Sequence, residues 1–325
     1  MFLEALEKIL AGHVTSSAIR AVEAGGSDAS VWQPIESAGL LDLMLPEEQG
    51  GAALALPDLF PILECLGRHA VPLPVAQAIV ARALVGAQAT LPGGMLTIAL
   101  HWRREADGQW CCPQLPAGGV ADHVLLADGD TLLLLGCAAA KREPVGDQRS
   151  QTADLHWRDA TPVFRVDQGG QQLAPFVAAM SGAVLSGLMQ RCFNMALEHC
   201  NTRVQFGKSI GKFQALQQQL SVMAEHVLAA AIAAEAAFRS PGGTPAPLAA
   251  AVAKSRTSEA AALVAAVAHA VHGAIGMTDE YDLGLFTRRL HEWRMAYGAE
   301  QVWNQQIGAQ VLTSRQTLVD FVQAI

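Results

Sequence analysis

The chain has 325 residues, of which 51% are hydrophobic, and its formal net charge is −8. This length permits a large buried core and predicts two or three domains. The acidic balance argues against a nucleic-acid-binding surface and against an anionic-membrane surface. None of the six cysteines forms a CxxC pair, so the sequence signals no metal site and predicts reduced thiols in a cytoplasmic protein.

Residues 1–92 predict an N-terminal helical domain. The first segment, "MFLEALEKIL", has the pattern of an amphipathic helix, and its two glutamates argue against a secretory leader. The cluster "PEEQGG" predicts a turn between helices. In "DLFPILECLGRHA" four apolar residues recur on one helical face, namely Leu59, Ile62, Leu63 and Leu66.

Residues 93–173 predict a small middle β domain. The apolar runs "MLTIAL", "DHVLLADGDTLLLL" and "TPVFRV" are short and are separated by glycine and aspartate. Within the second run, "ADGDT" has the composition of a hairpin turn between two strands. Three of the six tryptophans lie in this region: Trp102, Trp110 and Trp157.

Residues 174–325 return to a helical period and predict a C-terminal four-helix bundle. Its apolar segment "AALVAAVAHAVHGAIGM" carries two histidines and predicts a buried bundle helix that stops at Gly273, with no membrane span. The segment "TRRLHEWRMAYGAEQVWNQQIGAQVL" predicts a further continuous helix. The predicted fold class is mainly α, with a helical N-terminal domain, a β-barrel-like middle domain and a helical bundle.

The stretch "RVQFGKSIGKFQ" places ligand-binding groups at a junction between two bundle helices. Arg203 offers planar donors that suit a phosphate, and Gln205 adds donor and acceptor capacity. Phe206 offers a ring for stacking, and Gly207 lets backbone approach a ligand closely. The set suits the diphosphate and adenine of a dinucleotide. In the alternative interpretation, Arg203 pairs with a helix C-terminus and Phe206 belongs to the core.

A second stretch, "HGAIGMTDEYDLGLFTRRL", places two glycines three residues apart after a helix. Together the two stretches resemble the acyl-CoA dehydrogenase family, and the N-terminal "LPEEQGG" resembles that family's P-E-x-x-G-G turn. The first family pattern is R-x-x-F-G-(K/R)-x-(I/L)-x-x-x-Q, and here its positions hold Arg203, Phe206, Gly207, Lys208, Ile210 and Gln214. The second family pattern is G-G-x-G-(F/M/Y)-x-x-E, and here it is matched by Gly273, Gly276, Met277 and Glu280. The arginine of the family's following helix falls at Arg288.

The resemblance implies that FAD is the cofactor. Arg203, Gln205 and Phe206 would reach the FAD of a neighbouring subunit, and Gln214 would contact the same FAD. The turn from Gly273 to Gly276 would lie along the pyrophosphate. Gln301 matches a position that touches the far end of the flavin. The site would then be built across a dimer interface.

The family's glutamate base is missing from both of its usual positions. Tyr297 stands where one of them is expected, and tyrosine, with an ordinary pKa of about 10, is a poor base. The other position falls in "PFVAAMSG", which has no carboxylate. Glu300 is the nearest substitute, about one turn further along the predicted helix, although an exposed helix glutamate is the alternative. His272 and Glu280 lie in the second stretch, and we interpret each as a structural hydrogen-bonding group and not as a base.

The middle domain also departs from the family pattern, because it is shorter and lacks the T-E-P-x-x-G-S-D loop that holds the isoalloxazine ring. Its three tryptophans would substitute in part or belong to an ordinary core. The leading hypothesis is an FAD-linked acyl-CoA dehydrogenase-type subunit. It would bind an acyl-CoA and form a homo-oligomer, or a hetero-oligomer with a larger base-bearing subunit, and electron-transfer flavoprotein would accept the electrons.

Three alternatives remain open at the level of the sequence. The first is a non-catalytic member of the fold that binds an acyl-CoA or a partner without flavin. The second is a flavin enzyme of different chemistry, such as nitroalkane oxidation, which would need the same missing carboxylate. The third is a relative that acts on nucleic acid, but the chain carries no basic stripe to support it.

Overall fold

A computed structural model describes residues 2–88, 91–106, 108–146 and 149–323 of the chain. It confirms the predicted fold class, because helices form both ends of the chain and strands form the middle. In the N-terminal part the predicted "DLFPILECLGRHA" face is buried, and "PEEQGG" surrounds a short 3₁₀ turn. The helices here are α1 (Phe2–His13), α2 (Ser16–Glu23), α3 (Ala29–Ser37), α4 (Leu56–Arg68) and α5 (Val75–Val85), with 3₁₀ turns at Glu47–Gln49 and Gly86–Gln88.

The middle part contains two four-stranded sheets. One has the order β1-β4-β5-β8 and the other β2-β3-β7-β6, and only the pairing of β1 with β4 is parallel among these strands in the described residues. The strands are β1 (Leu96–Ala99), β2 (Arg103–Arg104), β3 (Trp110–Leu115), β4 (His123–Asp128), β5 (Thr131–Gly136), β6 (Lys141–Pro144), β7 (Ala153–Trp157) and β8 (Pro162–Val166).

The predicted hairpin is confirmed, since Asp128 of β4 pairs with Thr131 of β5 across a two-residue turn. Strand β5 is apolar on both faces because its leucines belong to two different cores. Leu132 and Leu134 belong to the large core shared with the helices, whereas Leu133 and Leu135 belong to a second core between the sheets. Side chains alternate along a strand, so a continuous leucine run fills both layers. The sheet is therefore buried between the second sheet and the helical core.

The C-terminal part is a helical bundle. Helix α8 stops at His272, directly before Gly273, as predicted. All six cysteines of the chain are free and buried. The elements are α6 (Gly170–Thr202), β9 (Val204–Gln205), β10 (Lys208–Ser209), α7 (Gln214–Ala236), α8 (Pro247–His272), α9 (Leu283–Met295), α10 (Glu300–Thr313) and α11 (Leu318–Gln323), with 3₁₀ turns at Ile210–Lys212 and Gly273–Met277.

The prediction of one continuous helix through "TRRLHEWRMAYGAEQVWNQQ" is wrong. The chain forms α9 and α10, separated by a break at residues 296–299. Tyr297 and Gly298 have φ angles of 61° and 94°, which is left-handed backbone that ends a helix. Tyr297 and Glu300 therefore do not share a helix, and the predicted one-turn spacing between them does not exist.

Two helices of the described residues, Gly170–Thr202 and Pro247–Met277, are long and apolar enough to cross a membrane by length and composition alone. They correspond to α6 and to α8 with its following turn, and α6 and α8 pack against each other in the bundle. Most of the apolar stretch of α6 is buried inside the protein. The packing agrees with the prediction that the apolar segment of α8 is a bundle helix.

Helices α4 and α6 cross at very short distance. A Cβ atom added at Gly187 would lie 1.9 Å from the carbonyl oxygen of Glu64, and one added at Gly67 would lie 1.9 Å from that of Val184. Both glycines are buried, so the backbones touch where a side chain has no room. This crossing joins the N-terminal helices to the bundle.

We expect Gly187→Ala to destabilise the protein by at least about 2 kcal/mol, because the crossing must open to admit the methyl group. Urea unfolding followed by circular dichroism measures the change. Gly284→Ala is the matched control, since a Cβ there has open space. Equal effects of the two substitutions would contradict the tight crossing.

Candidate cofactor and substrate site

The Arg203 segment forms an exposed hairpin at the end of α6. Arg203 caps the helix through its backbone, with its N–H donating to the carbonyl oxygen of His199 at 2.9 Å. Strands β9 and β10 then pair around Phe206 and Gly207, whose φ angles are 52° and 78°. Two consecutive positive φ values are typical of the tight turn that matches the twist of a two-residue hairpin. The sequence therefore folds these residues into a projection from the bundle.

The side chains of this hairpin face outward. Phe206 is 90% exposed, so the alternative that it belongs to the core is wrong. Its only ring contact in the described residues is an edge-to-face contact with Phe213, at 6.1 Å between centroids. Arg203 and Gln205 are exposed, and within the described residues the side chain of Arg203 makes neither an ion pair nor a hydrogen bond. The hairpin presents an unpaired cation and an aromatic ring to whatever lies outside this chain.

The second glycine-containing stretch forms the 3₁₀ turn Gly273–Met277. Gly273 has a φ of 64° and ends α8. Gly276 is buried, and a Cβ atom there would lie 2.9 Å from the Cβ of His272, so packing requires glycine. Glu280 is exposed in the loop beyond the turn, where Asp279 accepts hydrogen bonds from Arg149 at 3.1 and 3.2 Å.

The hairpin and the turn meet at their bases. The ring of His199, four residues before Arg203, stacks on the ring of His272, directly before Gly273, with 4.5 Å between centroids. Burial is the main cause that lowers the pKa of both imidazoles, which favours their neutral forms. The Nδ1 of His272 bonds the carbonyl oxygen of Ala268 at 2.7 Å, as its predicted structural role requires. The two predicted cofactor-binding stretches therefore form one corner of the bundle.

The two predicted glutamines lie at different places. Gln214 is exposed at the first residue of α7, next to Phe213 of the hairpin region. Gln301 is exposed in the first turn of α10, and none of the described contacts joins it to the hairpin or to the Gly273–Met277 turn. The hydrogen bond of Ser255 to Asn304, at 2.6 Å, fixes α10 against α8 instead.

Tyr297 sits in the break between α9 and α10, and its side chain is buried. The indole Nε1 of Trp303 donates to the carbonyl oxygens of Tyr297 and Gly298, both at 3.2 Å. Burial raises the pKa of the phenol to about 12, although Gln77 and Thr97 approach the hydroxyl. Neither of these meets it with hydrogen-bonding geometry, and Thr97 already donates to the carbonyl oxygen of Pro116 at 2.6 Å. The phenol is therefore neutral and its hydroxyl is unpaired.

Glu300 is held by an arginine. Its two carboxylate oxygens accept from the Nε and Nη2 of Arg294, the first at 2.9 Å. This pairing is the largest cause that holds the pKa of Glu300 below its usual range, and it raises the pKa of Arg294. A carboxylate clamped in this way is a weak proton acceptor, so the geometry favours a structural role for Glu300.

Lys254 is a buried residue that supports the segment carrying Tyr297, and the sequence analysis did not single it out. It lies on α8, is fully buried, and donates to the carbonyl oxygens of Trp293 and Arg294 at 3.1 and 2.9 Å and to Ser258 at 2.9 Å. The carbonyls of Trp293 and Arg294 lie in the last turn of α9, where a helix leaves carbonyl groups without an intrahelical partner. Lys254 thus holds the start of the break that carries Tyr297. The sequence feature that could have identified it is a single lysine within an alanine-rich predicted helix.

A cleft that is open to solvent lies between the three parts of the chain. Its wall includes Tyr297, and also Met180 and Ser181 from "PFVAAMSG". Both predicted positions of a base therefore face one cleft. A carboxylate that sequence reasoning missed, Glu292, also lines it, but its Oε1 accepts from Ser150 and Thr152 at 2.5 and 2.8 Å.

Comparison with known proteins decides the family. The family model described as "Acyl-CoA dehydrogenase, C-terminal domain" matches residues 176–312. Acyl-CoA dehydrogenase IpdE2 of Mycolicibacterium smegmatis is 30% identical over 292 residues, which are 89% of this chain and 90% of that protein. The chain belongs to the acyl-CoA dehydrogenase family.

Solved structures share the acyl-CoA dehydrogenase fold over almost the whole chain. The ChsE4-ChsE5 complex from Mycobacterium tuberculosis superposes with a TM-score of 0.85 at 20% identity, covering 97% of each chain. The Tcur3481-Tcur3483 steroid acyl-CoA dehydrogenase, a G363A variant, gives 0.81 at 24% identity and 96% coverage of each chain. The predicted order of helices, strands and helices is therefore the order of the family.

The tryptophans of this acyl-CoA dehydrogenase-type β region are core residues. Trp102 stacks on Trp110 at 4.7 Å, and Trp110 pairs in register with Trp157 across β3 and β7. The indole Nε1 of Trp157 donates to Gly136 at 2.9 Å, and that of Trp102 to Ala127 at 2.7 Å. The interpretation that they replace the missing flavin-binding loop loses its support, because packing already occupies them.

We expect Tyr297→Phe to raise the free energy of unfolding by about 1 kcal/mol, because it removes a buried hydroxyl that has no partner. Urea unfolding of both proteins measures the difference. The matched control is Tyr281→Phe, the only other tyrosine of the chain, which is half-buried and should change stability by less than about 0.5 kcal/mol. A loss of stability in Tyr297→Phe would show that the hydroxyl has a partner.

Proposed function

We propose that this chain is a subunit of an FAD-linked acyl-CoA dehydrogenase that removes hydrogen from the Cα–Cβ bond of an acyl-CoA thioester. In this proposal it forms a hetero-oligomer with a larger family member that supplies the base. The subunit proposal rests on the difference between two parts of this chain, the hairpin of Arg203 and the cleft. The hairpin of Arg203 is exposed and unpaired in the described residues, whereas the cleft has Tyr297 and "PFVAAMSG" where the family places its glutamate.

The donor set fits FAD. An exposed guanidinium suits a pyrophosphate, Phe206 offers a ring face, and the Gly273–Met277 turn brings backbone close to the same corner. Arg203, Gln205, Phe206, Gln214, Gly273 and Gly276 would hold the cofactor, with Gln301 at a separate place. FAD, when bound, accepts the β-hydride of the thioester. Since none of the hairpin residues is among those that line the chain's own cleft, we assign these groups to the flavin of the partner subunit.

The residues of this chain make poor acid-base catalysts. The phenol of Tyr297 has its pKa raised to about 12, and Glu300 is paired with Arg294. A general base works best with a pKa near the working pH. We therefore assign α-proton removal to a carboxylate of the partner. Tyr297 forms part of the wall of the cleft, and Lys254 holds the end of α9 that precedes it.

Two of the comparisons support the assembly. The ChsE4-ChsE5 and Tcur3481-Tcur3483 structures are each described as containing two named chains, and the second as a steroid acyl-CoA dehydrogenase. We extend this to a hetero-oligomer for our chain, with a bulky acyl-CoA such as a steroid side-chain thioester as substrate. Electron-transfer flavoprotein as acceptor and a cytoplasmic location are parts of the same proposal.

Purification of the chain alone, and after co-expression with a longer homologue that has an intact base, tests this function. We expect little flavin absorbance and no acyl-CoA-dependent dye reduction from the chain alone, and both from the co-expressed pair. A homodimer with full flavin and rapid turnover on simple acyl-CoAs would refute the subunit proposal. A chain that binds acyl-CoA but stays colourless with every partner would favour the non-catalytic alternative.

A further inference from the structure

We propose that the stacked imidazoles of His199 and His272 are positioning residues for flavin binding, because they set the spacing between the hairpin at the end of α6 and the Gly273–Met277 turn. The inference rests on the proposed function, since it takes the hairpin and the turn as parts of one flavin-binding corner. Neither imidazole is among the residues that the acyl-CoA dehydrogenase resemblance assigns to the cofactor.

Each ring is attached to a helix end that leads directly into one of the two stretches. His199 lies in the last turn of α6, and its carbonyl oxygen accepts the backbone N–H of Arg203 at 2.9 Å. His272 is the last residue of α8, directly before Gly273. The two ring centroids are 4.5 Å apart, and among the described residues this is the one ring–ring contact between α6 and α8. The stack therefore links the point where the hairpin begins to the point where the turn begins.

The Gly273–Met277 turn packs directly on His272. A Cβ atom added at Gly276 would lie 2.9 Å from the Cβ of His272 and 3.5 Å from the Nδ1 of His269, so the backbone of the turn touches the last turn of α8. Beyond the turn, the ring of Tyr281 lies 5.2 Å from that of His272, measured between centroids. Because His272 contacts the turn and the loop that follows it, the place of its ring determines the place of the turn.

The hairpin is tied just as closely to the end of α6. The backbone N–H of Ile210 donates to the carbonyl oxygen of Arg203 at 2.9 Å and closes the base of the hairpin. A Cβ atom added at Gly211 would lie 3.1 Å from the carbonyl oxygen of Cys200, so the chain after the hairpin runs close against the last turn of α6. The place of the hairpin therefore follows from the end of α6, which carries His199.

The stack joins two uncharged rings at neutral pH. Burial is the main cause that holds the pKa of each imidazole below its ordinary value. The neighbouring groups Arg203 and His269 also oppose a positive charge on the pair. The Nε2 of His272 is buried and makes no hydrogen bond in the described residues, and the carbonyl oxygen of Met195 approaches the ring without hydrogen-bonding geometry. His272 therefore meets His199 through the flat face of its ring, and not through this nitrogen.

Titration of the flavin-free co-expressed assembly with FAD, followed by flavin fluorescence, tests the inference. We expect His199→Ala to raise the dissociation constant of FAD at least about threefold, because the ring–ring contact is lost. His199→Phe keeps a flat ring and should recover most of this loss. The matched control is His226→Ala, which removes a half-buried imidazole of α7 that bonds Arg256 at 3.2 Å, and it should leave the dissociation constant unchanged. Equal affinities of the alanine and phenylalanine variants of His199 would overturn the positioning role.

His272→Leu assigns the effect to the contact between the two rings, because leucine fills buried apolar space but has no flat face. We expect this variant also to weaken FAD binding at least about threefold. The double variant with His199→Ala should bind FAD about as weakly as either single variant, since the same contact can be lost only once. If the two effects multiply, the rings act independently and the proposed stack is overturned.

Arg203→Met separates this inference from the proposed function. If Arg203→Met weakens FAD binding and His199→Ala does not, the positioning role is overturned while the proposed function stands. If neither substitution changes FAD binding, the corner does not bind flavin, and the inference fails together with that part of the proposed function.

Discussion

Glu23→Gln is expected to lower the free energy of unfolding by about 3 kcal/mol, the largest single effect that the structure predicts. The carboxylate of Glu23 pairs with Arg289 at 2.8 Å and with Arg288 at 3.1 Å. Its side chain is 5% exposed, so glutamine would leave a buried guanidinium without its counter-charge. Burial already lowers the pKa of Arg289 from its ordinary value, and Glu23 is the first group that opposes this.

Urea unfolding at neutral pH measures this loss, and Glu235→Gln provides the matched control. Glu235 of α7 pairs with Arg239, which lies just beyond the end of that helix, and such an exposed pair contributes at most a few tenths of a kcal/mol. Equal effects at the two positions would show that Glu23 and Arg289 are solvated. The pair matters for function because it fixes α9, one wall of the cleft, to α2 of the N-terminal part.

Lys254→Met is expected to change how stability depends on pH. Burial lowers the pKa of Lys254 to about 7, with Glu300 opposing the shift, whereas the ordinary value is 10.5. Between these two pH values the unfolded chain binds more protons than the folded chain, so this lysine makes the native protein more stable as pH rises. The penalty for burying the charge is full below pH 7 and is relieved towards pH 10.

The measurement is the difference in unfolding free energy between native protein and Lys254→Met at pH 7, 8 and 9. We expect the native protein to gain about 2 kcal/mol relative to the variant over this range, at about 1.4 kcal/mol per pH unit once the folded lysine is neutral. Other groups titrate in both proteins and cancel. Lys212→Met, at an exposed lysine, is the matched control substitution for the loss of one lysine. A constant difference for Lys254→Met would show that the lysine is not buried.

Periodicity predicted the helices and the leucine-rich strands well, because burial of apolar residues sets both. The pattern of "DLFPILECLGRHA" fixes one buried face of α4, and Gly273 ends α8 as expected. Periodicity did not predict the backbone conformation at Tyr297. Nothing in its local propensity announces a positive φ, and the break between α9 and α10 depends on Lys254 and Trp303, which lie far away or later in the chain.

The arrangement of the candidate residues was predictable where they are close in sequence, and it was unpredictable where the fold brings distant residues together. Arg203, Gln205 and Phe206 are close in sequence, so their exposed hairpin follows from a short motif. The cleft instead brings together Gln77, Met180, Glu292 and Tyr297, which are distant in sequence. Whether Glu292 or Arg289 is free to meet a ligand depends on partners that only the fold supplies.

The central claim is that the exposed hairpin of this chain binds the flavin of a partner subunit. The direct test is the flavin absorbance per protein of the co-expressed assembly, with Arg203→Met compared with Arg239→Met, at an exposed arginine just beyond the end of α7. We predict that both variants assemble as the native protein does on gel filtration. Arg203→Met should bind flavin at least about tenfold more weakly, because a charge-assisted contact to phosphate is lost. Equal flavin content and affinity in the two assemblies would contradict the claim.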